Sequence, residues 1–383
     1  MRRVLTIASV VVVLLLVVGL AAGGWYYTDE LLPAAVPGDP ELDTEVVAVD
    51  GDTITLRPDG APAWEVEDLQ GDHRVGLQHL TGYLQLHGPA EPGEDGATTR
   101  AFELVAGTPP AAGDRADVQA HAYPDDPTVL GLRVDEVVAT GPLGDLPGWR
   151  FPGEGEHADD WVVFVHGRGA TRAETLRGVE VVVGTGRSAL VVTHRNDPGA
   201  PASPDGFGHF GDTEWQDLQA WLDWLDEAAD PAGVTLFGYS QGGSVVAACL
   251  RRCADTTDVT GAILDSPLLS MHATLELQAA ERDIPDPVIG PLLWATKAVS
   301  TVRGGPDFAR LEHVDALAAL DLPILVSHGH DDDTVPRAPS AALAEADPAQ
   351  VTLLPHDGGH VRGWNVDPEG WSEAVTDFLA STS

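Results

Sequence analysis

Short apolar runs alternate with segments of helical spacing through residues 148–383. The helical spacing covers residues 213–228, 241–252 and 369–379. The apolar runs cover residues 161–165, 189–193, 234–237, 262–264, 324–327 and 351–354. Runs this short and this apolar are typical of strands that are buried on both faces of a parallel sheet. The pattern therefore predicts an α/β domain whose mostly parallel sheet carries helices on both faces.

The preceding part of the chain has a pattern of short β-prone runs without helical segments between them. Residues 45–56 contain two β-prone runs around an Asp-Gly turn, which is a hairpin signal. Further β-prone runs, near residues 75–86, 100–106, 116–122 and 129–139, are separated by loops rich in Gly, Pro and Asp. Residues 43–147 are therefore predicted to form a small β-rich domain, in which no chemical motif stands out. Residues 28–42 lack helical or strand periodicity and are predicted to be a tether.

The first residues favour a membrane anchor. Arg2 and Arg3 precede an uncharged run over residues 4–24, which as a helix would span roughly 30 Å, about one hydrocarbon core. An aromatic cluster, Trp25-Tyr26-Tyr27, follows at once, as at a membrane interface. Residues 1–27 are therefore predicted to be a single-pass transmembrane helix, with a cytoplasmic N-terminus and the bulk of the chain extracytoplasmic. The alternative is a cleavable signal peptide and a secreted protein.

Charge narrows the choice of partners. The formal net charge is −39, from 60 acidic and 21 basic residues, and Lys297 is the only lysine. Such a surface repels phosphate backbones, so no nucleic-acid partner is expected.

Cys249 and Cys253 lie four residues apart in a predicted helix, where a bridge requires distortion near a helix end. They are expected to pack as small apolar residues.

The first chemical motif lies where a predicted strand passes into a predicted helix. Gly238-Tyr239-Ser240-Gln241-Gly242 fits a nucleophile elbow, in which the glycines permit a tight turn that exposes the serine hydroxyl. The alternative is a glycine-rich turn with a solvated serine. The motif needs partners before it indicates catalysis.

Three other loops could supply those partners. Upstream, His166-Gly-Arg-Gly169 ends the strand at residues 161–165, where the second backbone N–H of an oxyanion hole is placed. Arg168 and Gln241 would supply the two amides, and His166 would have no role in proton transfer. Downstream, an acidic loop follows the strand at 324–327, and a histidine-containing loop follows the strand at 351–354. A nucleophilic serine needs such a base, oriented by a carboxylate.

With these motifs the sequence resembles the α/β-hydrolase superfamily over residues 148–383. It resembles in particular membrane-anchored hydrolases of actinobacterial type and, more distantly, the serine aminopeptidase-like and prolyl-oligopeptidase-like branches. The resemblance includes the Asn196-Asp197 loop, Gly211-Asp-Thr-Glu-Trp215, Leu264-Asp-Ser-Pro267 and the pattern His-Gly-x-x-Asp-x-x-Val-Pro over residues 328–336. It implies an α/β-hydrolase fold with a short helical insert at about 267–311.

The resemblance also selects among candidate residues. It implies Asp332 as the acid, with Asp331 and Asp333 as flanking alternatives and Asp265 as a lesser one. The Gly-Gly-His ending implies His360 as the base rather than His356. A metal site built from His328, His330 and the acidic run is the weaker interpretation, because such loop clusters are usually not ligands. No metal and no cofactor are expected.

The predicted function is acyl transfer to water from an ester, thioester or amide. Ser240 would be the nucleophile, His360 the general base and Asp332 the orienting acid, and the substrate would be a small molecule or a peptide. A serine peptidase and an acyltransferase share this chemistry and stay as alternatives. A non-catalytic binding protein that keeps the fold is a third.

Overall fold

A computed structural model describes residues 2–254 and 258–382 and, within the first helix, the side chains of residues 14, 15 and 17 onward. The helices are α1 (Arg2–Leu31), α2 (Ala63–Gln70), α3 (Leu176–Gly184), α4 (Trp215–Ala229), α5 (Gln241–Arg252), α6 (Met271–Glu281), α7 (Asp286–Val302), α8 (Val314–Leu317), α9 (Ala338–Ala346), α10 (Gly363–Val366) and α11 (Pro368–Ser381). The strands are β1 (Thr44–Asp50), β2 (Thr53–Pro58), β3 (Val75–His79), β4 (Gly82–Pro92), β5 (Thr98–Gly107), β6 (Arg115–Gln119), β7 (Asp135–Gly141), β8 (Gly144–Phe151), β9 (Asp160–Val165), β10 (Ser188–Val192), β11 (Gly233–Tyr239), β12 (Val259–Asp265), β13 (Ile324–Gly329) and β14 (Val351–His356).

The larger sheet has eight strands in the order β14-β13-β12-β11-β9-β10-β8-β7. Strands β9 to β14 run parallel to one another, and they coincide with the six apolar runs of the sequence. The order changes direction between β9 and β11, and open α/β sheets bind ligands beside the carboxyl ends of strands at such a point. Both β9 and β11 end in loops that carry predicted site residues.

Each face of this sheet is covered by helices, as the sequence predicts. Strand β9 shows why, since Trp161, Val163 and Val165 belong to one buried cluster and Val162 and Phe164 to the other. Helices α4, α5, α8 and α9 pack on the first face, and α3, α10 and α11 on the second. Because both faces are buried, alternation gives way to the continuous apolar runs seen in the sequence.

The β-rich segment forms a closed barrel of six strands in the order β1-β2-β5-β4-β3-β6. Its first two strands are the predicted hairpin, with Asp50 paired to Thr53 across the turn. The barrel ends at Gln119, whereas the predicted domain extends to residue 147. Strands β7 and β8 form an antiparallel hairpin on the edge of the larger sheet, where β8 pairs with β10. Strand periodicity marks such strands but does not indicate the sheet to which they pair.

Helix α1 continues to Leu31, beyond residue 27 and into the predicted tether. The residues after it also follow the body, since Leu32 is fully buried and its carbonyl accepts from the Gly208 amide at 2.9 Å. Aperiodic sequence did not reveal these long-range contacts. Much of the predicted anchor, residues 1–13 and 16, lies outside the described side chains. Within the part of the chain that was described, no helix combines the length and the apolarity needed to cross a bilayer.

Cys249 and Cys253 form a disulfide, which corrects the expectation that they pack as separate small residues. Helix α5 ends at Arg252, and Cys253 adopts an extended backbone with φ −61° and ψ 143°. The chain thus leaves the helix between the two cysteines, and their Cα atoms are 4.8 Å apart. That separation is within the range that a disulfide spans.

The barrel is joined to the larger domain at the segment that follows β14. The Arg362 guanidinium donates to Asp68 of α2 at 2.6 Å, and both side chains are largely buried. The Asn365 side-chain amide donates to the carbonyls of Arg74 and Ala120 at 2.6 and 2.8 Å. These contacts fix residues 362–365 against the barrel.

Three carboxyl groups, from Asp43, Glu65 and Asp117, meet in the barrel domain. Burial, and then the charges of Asp43 and Asp117, raise the pKa of Glu65 to about 8. Burial also raises the pKa of Asp117 to about 6, although a hydrogen bond from Gln119 opposes the shift. The folded barrel therefore holds protons that the unfolded chain releases over the same pH range.

We expect the Glu65→Gln variant to remove part of a pH dependence of stability. Between the usual carboxyl pKa of 4.5 and about pH 8, folded Glu65 binds more protons than unfolded Glu65, so the free energy of unfolding falls as pH rises. The variant should therefore be more stable than wild type at about pH 8.5, and this difference should vanish near pH 4.5. This difference in the free energy of unfolding is measured by urea unfolding followed by hydrogen exchange of barrel peptides. Glu67→Gln, an exposed change on the same helix, is the control; an equal effect there would contradict the prediction.

Candidate active site

Ser240 lies at the sharp turn between β11 and α5, as the elbow motif predicts. Its backbone has φ 50° and ψ −114°, a strained conformation for a residue with a side chain. The turn depends on its glycines: a Cβ at Gly238 would lie 2.6 Å from the Gly242 backbone, and one at Gly242 would lie 2.1 Å from the Val165 carbonyl oxygen. The elbow can therefore pack this closely against β9 only with glycine at both positions.

The structure brings Ser240, His360 and Asp332 into one hydrogen-bonded chain. His360 Nε2 lies 2.8 Å from Ser240 Oγ, and His360 Nδ1 lies 2.8 Å from Asp332 Oδ2. The carboxylate accepts from Nδ1–H, so Nε2 is left to accept the serine proton. His360 reaches this position from the loop after β14, and Asp332 from the loop after β13.

Asp332 is held as an oriented carboxylate. Its Oδ1 accepts the backbone amides of Thr334 and Val335 at 3.0 and 2.8 Å, and His328 Nε2 lies 3.2 Å from its Oδ2. Burial alone would raise the pKa of Asp332, but hydrogen bonds from His328, His360 and the backbone outweigh burial and hold the pKa below the usual carboxyl range. The group therefore keeps its negative charge beside the imidazole.

The alternative acids occupy different positions. Asp331 and Asp333 are exposed. Asp265 is fully buried at the end of β12, and neither of its carboxyl oxygens has a hydrogen-bond partner among the described residues. Burial raises the pKa of Asp265 to about 6, although the nearby Arg177 charge opposes the shift. Of the four carboxyl groups, Asp332 is the one that contacts the His360 imidazole.

The loop after β9 approaches the serine from the other side. A Cβ on Gly167 would lie 3.1 Å from the Ser240 Cβ, so the two backbones are close. The Gly167 amide donates to Glu174 Oε2 at 2.6 Å, which fixes the loop and places Arg168 beside Gln241 at the cavity. Sequence reasoning missed Glu174, because a carboxylate nine residues beyond the strand carries no motif of its own.

His166 holds a neighbouring loop rather than a substrate. Its Nε2 lies 2.9 Å from Asp197 Oδ2, and its ring stacks on His194 at 4.9 Å. Burial would lower the pKa of His166, but the charge of Asp197 raises it overall to about 9. The sequence included the Asn196-Asp197 loop in the resemblance, and here Asp197 also accepts the His194 amide at 2.7 Å.

The other histidines of these loops lie in separate surroundings and are not gathered as the metal-site hypothesis requires. His328 is fully buried, with Nδ1 2.8 Å from Ser340 Oγ, and therefore supports Asp332 from behind. His330 is exposed. Burial lowers the pKa of His356 to about 4, and its Nδ1 accepts the Gly358 amide at 3.2 Å. None of the three contacts Ser240 in the way that His360 does.

Two groups of side chains in the described part of the chain bring three possible ligand atoms within 4.8 Å of one another. They are His166, His194 and Asp197, and the barrel carboxyls Asp43, Glu65 and Asp117. In the first group the carboxylate already accepts hydrogen bonds that order the loop. In the second the carboxyl groups raise the pKa of Glu65.

A cavity of about 330 Å³ opens at Ser240 and His360. Its walls are mostly apolar and come from the helical insert, from Phe210, and from the end of α1. Helices α6 and α7 lie within the segment 267–311, for which the sequence predicts a short helical insert. The cavity size is near the lower end of the roughly 300–1,000 Å³ that small-molecule sites occupy. Ser240 therefore faces a mostly apolar chamber suited to a small ligand.

Sequence comparison finds relatives without a described activity. The chain is 27% identical over 267 residues to the uncharacterized protein Rv2307c of Mycobacterium tuberculosis strain H37Rv. The matched region covers 69% of this chain and 85% of the relative. The uncharacterized protein MT2364 of strain CDC 1551 matches to the same extent. No protein-family model matches the chain.

Solved structures provide the comparison of folds. The esterase Pf2001 of Pyrococcus furiosus matches with a TM-score of 0.53 at 19% identity, over 68% of this chain and 95% of the esterase. A second crystal form of that esterase gives a TM-score of 0.52 at 20% identity, over 67% and 95%. A 2,6-dihydroxy-pseudo-oxynicotine hydrolase gives 0.50 at 16%, over 66% and 70%. Together with the sheet order, these likenesses show that the chain has the α/β-hydrolase fold.

Proposed function

We propose that this chain is a serine hydrolase that cleaves carboxylic esters through an acyl-enzyme. The observation that carries the proposal is the hydrogen-bonded chain Ser240–His360–Asp332 on a strained elbow that opens into an apolar cavity. Fold alone does not imply chemistry, since this fold hosts many functions. The geometry of the three side chains is what supports catalysis.

The first half of the reaction forms the acyl-enzyme. Ser240 Oγ attacks the ester carbonyl carbon while His360 Nε2 takes the hydroxyl proton, and Asp332 stabilises the resulting imidazolium. The carbonyl oxygen becomes an oxyanion, to which the amides of Arg168 and Gln241 would donate. When the intermediate collapses, the C–O bond breaks and His360 returns the proton to the leaving alcohol.

The second half repeats these steps with water. His360 removes a proton from a water molecule, whose oxygen attacks the acyl carbon, and the same amides hold the second oxyanion. Collapse releases the carboxylic acid and gives the proton back to Ser240. Because this pathway needs only groups of the chain and water, no cofactor is required by the proposal.

An ester is favoured over a peptide because of the cavity lining. The cavity carries some polar side chains, among them Thr274, Gln278 and Thr296. Most of its surface is apolar, however, and includes Leu268, Met271 and Val335, which offer no hydrogen bonds to a peptide backbone. A peptide would bury several polar groups there without partners, at a cost that an ester with an apolar chain avoids.

We further propose an extracytoplasmic location, with α1 as the anchor. The uncharged run at residues 4–24 and the aromatic cluster after it support this location. The Cys249–Cys253 disulfide also supports it, since disulfides persist in oxidising compartments. Protease treatment of intact cells tests it, because only an external catalytic domain would be digested without lysis.

The activity is tested on the full chain, purified in detergent. A fluorophosphonate probe reports an activated serine, and p-nitrophenyl esters and aminoacyl anilides report the substrate class. Labelling together with faster ester cleavage supports the proposal, whereas anilide cleavage as the faster reaction would identify a peptidase. Ester products formed in the presence of an added alcohol would identify an acyltransferase. A folded chain that neither labels nor turns over would be a binding protein.

A further inference from the structure

The end of α1 is part of the wall of the cavity at Ser240. Tyr27, Glu30 and Leu31 line the same space as Ser240 and His360. These residues lie on the last two turns of the helix and are separated from the nucleophile by more than 200 positions in the sequence. The chamber is therefore closed on one side by a segment that lies outside the hydrolase domain.

Helix α1 is seated on the helical insert by close packing. A Cβ on Gly24 would lie 2.8 Å from the Ala295 backbone, and one on Gly23 would lie 2.8 Å from Leu292 Cδ1. Thr28 Oγ1 also lies within 3.2 Å of the Thr296 carbonyl oxygen of α7. The absence of side chains at the two glycines lets α1 and α7 approach, which places Leu31 and Leu292 on one cavity surface.

Polar contacts fix the end of α1 from the other sides. The Arg168 guanidinium donates to the Pro33 carbonyl at 3.1 Å and points toward that of Leu31 at 3.4 Å. Asp29 pairs with Arg303 of the insert, and Glu30 lies 3.7 Å from Arg282. The residue proposed to supply an oxyanion amide therefore also binds the end of α1 through its side chain.

The chamber between α1, α6 and α7 has the chemistry of an acyl-chain site. Apolar side chains from all three helices and from the loop between α6 and α7 line it, namely Leu31, Leu275, Ala279, Ile284, Leu292 and Leu293. An apolar chain that enters it from the ester carbonyl at Ser240 is taken out of water. Each methylene buried in this way favours binding by about fourfold.

Helix α1 leaves the body immediately beside this chamber. Leu14, Leu15, Val17 and Val18 are exposed, whereas Gly23 and Gly24 pack closely against α7. At the level where the helix departs, Trp25 and Trp294 of α7 are both exposed. A projecting apolar helix with exposed tryptophans at its base is the arrangement expected beside a lipid surface.

We propose that the last two turns of α1 determine substrate specificity and that the substrate is an ester of a long unbranched acyl chain, which lies between α1, α6 and α7. This inference rests on the proposed function and adds its substrate class. The acyl chain can come from a bilayer lipid or from a dissolved ester, and the experiment separates these two sources.

The test compares Leu31→Trp with wild type in the full chain. The indole would fill the chamber beside Leu292, so the ratio of kcat/KM for p-nitrophenyl laurate to that for the acetate should fall by about tenfold or more. Leu15→Trp makes the same substitution on the same helix at an exposed position outside the chamber. It should leave that ratio unchanged. An unchanged ratio in Leu31→Trp, or a wild-type enzyme without preference for laurate, would overturn the inference.

Binding without chemistry separates this inference from the proposed function. Ser240→Ala should bind a fluorescent fatty acid, and adding Leu31→Trp should weaken that binding by about tenfold or more. Weakened binding supports the inference even if no ester is cleaved, and equal binding overturns it even if acetate is cleaved. Hydrolysis of a laurate ester in phosphatidylcholine vesicles would identify a bilayer source, and hydrolysis of the dissolved ester alone would identify a soluble one; either supports the acyl-chain site.

Discussion

Replacing Ser240 by alanine is expected to lower kcat for an activated ester by about 10⁵-fold or more, with no loss of folding. His360 Nε2 lies 2.8 Å from the Ser240 hydroxyl oxygen, and alanine removes this proposed nucleophile. The backbone strain at φ 50° remains in the variant, because alanine and serine share the same Cβ. Active-site titration and steady-state kinetics measure the loss, and labelling by a fluorophosphonate should disappear.

A second serine gives the control. Ser381→Ala changes an exposed residue near the end of α11 and should keep both labelling and kcat. If Ser240→Ala retained more than a small fraction of wild-type turnover, with an unchanged melting temperature, the nucleophile would have to be sought elsewhere.

The second large effect is expected at Asp332. Asparagine there keeps the shape of the side chain but can donate to His360 Nδ1, which favours the wrong imidazole tautomer and removes the charge that stabilises the imidazolium. In a Ser-His-Asp triad this change lowers kcat by about 10⁴-fold. Because Asp332 also accepts the Thr334 and Val335 amides, the stability of the Asp332→Asn variant should be measured in parallel by thermal unfolding.

Matched asparagine substitutions test the assignment of the acid. Asp331→Asn and Asp333→Asn change exposed neighbours, and Asp265→Asn changes a buried carboxyl whose oxygens make no hydrogen bond within the described residues. All three should retain most of the wild-type kcat. A loss in Asp265→Asn comparable to that in Asp332→Asn would show that the imidazole depends on the carboxyl behind it as well.

The parts of the fold that sequence predicts are those with a local signal. Runs such as residues 161–165 are apolar because both faces of the sheet are covered, so each strand carries its own mark. The elbow is equally local, since Gly238 and Gly242 are required by contacts within the turn and with β9. Asp332 and His360 follow parallel strands, whose carboxyl ends share one edge of the sheet.

What sequence did not predict depends on long-range contacts. The continuation of α1 to Leu31 depends on its packing against α7, which lies more than 250 positions away. The hairpin β7–β8 has ordinary strand texture, and only its pairing to β10 assigns it to the larger sheet. Glu174 is one of many acidic residues in a chain of charge −39 until its bond to the Gly167 amide is seen. The sequence pattern identifies the secondary-structure elements, whereas the residues and strands that each element contacts are determined by the folded chain.

The attachment of the barrel to residues 362–365 also has a practical consequence. Arg362 lies two positions after His360 and is bound to Asp68, so we expect a loosening of the barrel to displace the imidazole that contacts Ser240. Turnover in the proposed reaction would then also report on the barrel domain. Substitutions that weaken the Arg362–Asp68 contact to different degrees are expected to change kcat to corresponding degrees. An assay of the proposed activity would therefore also measure how firmly the two folding units are held together.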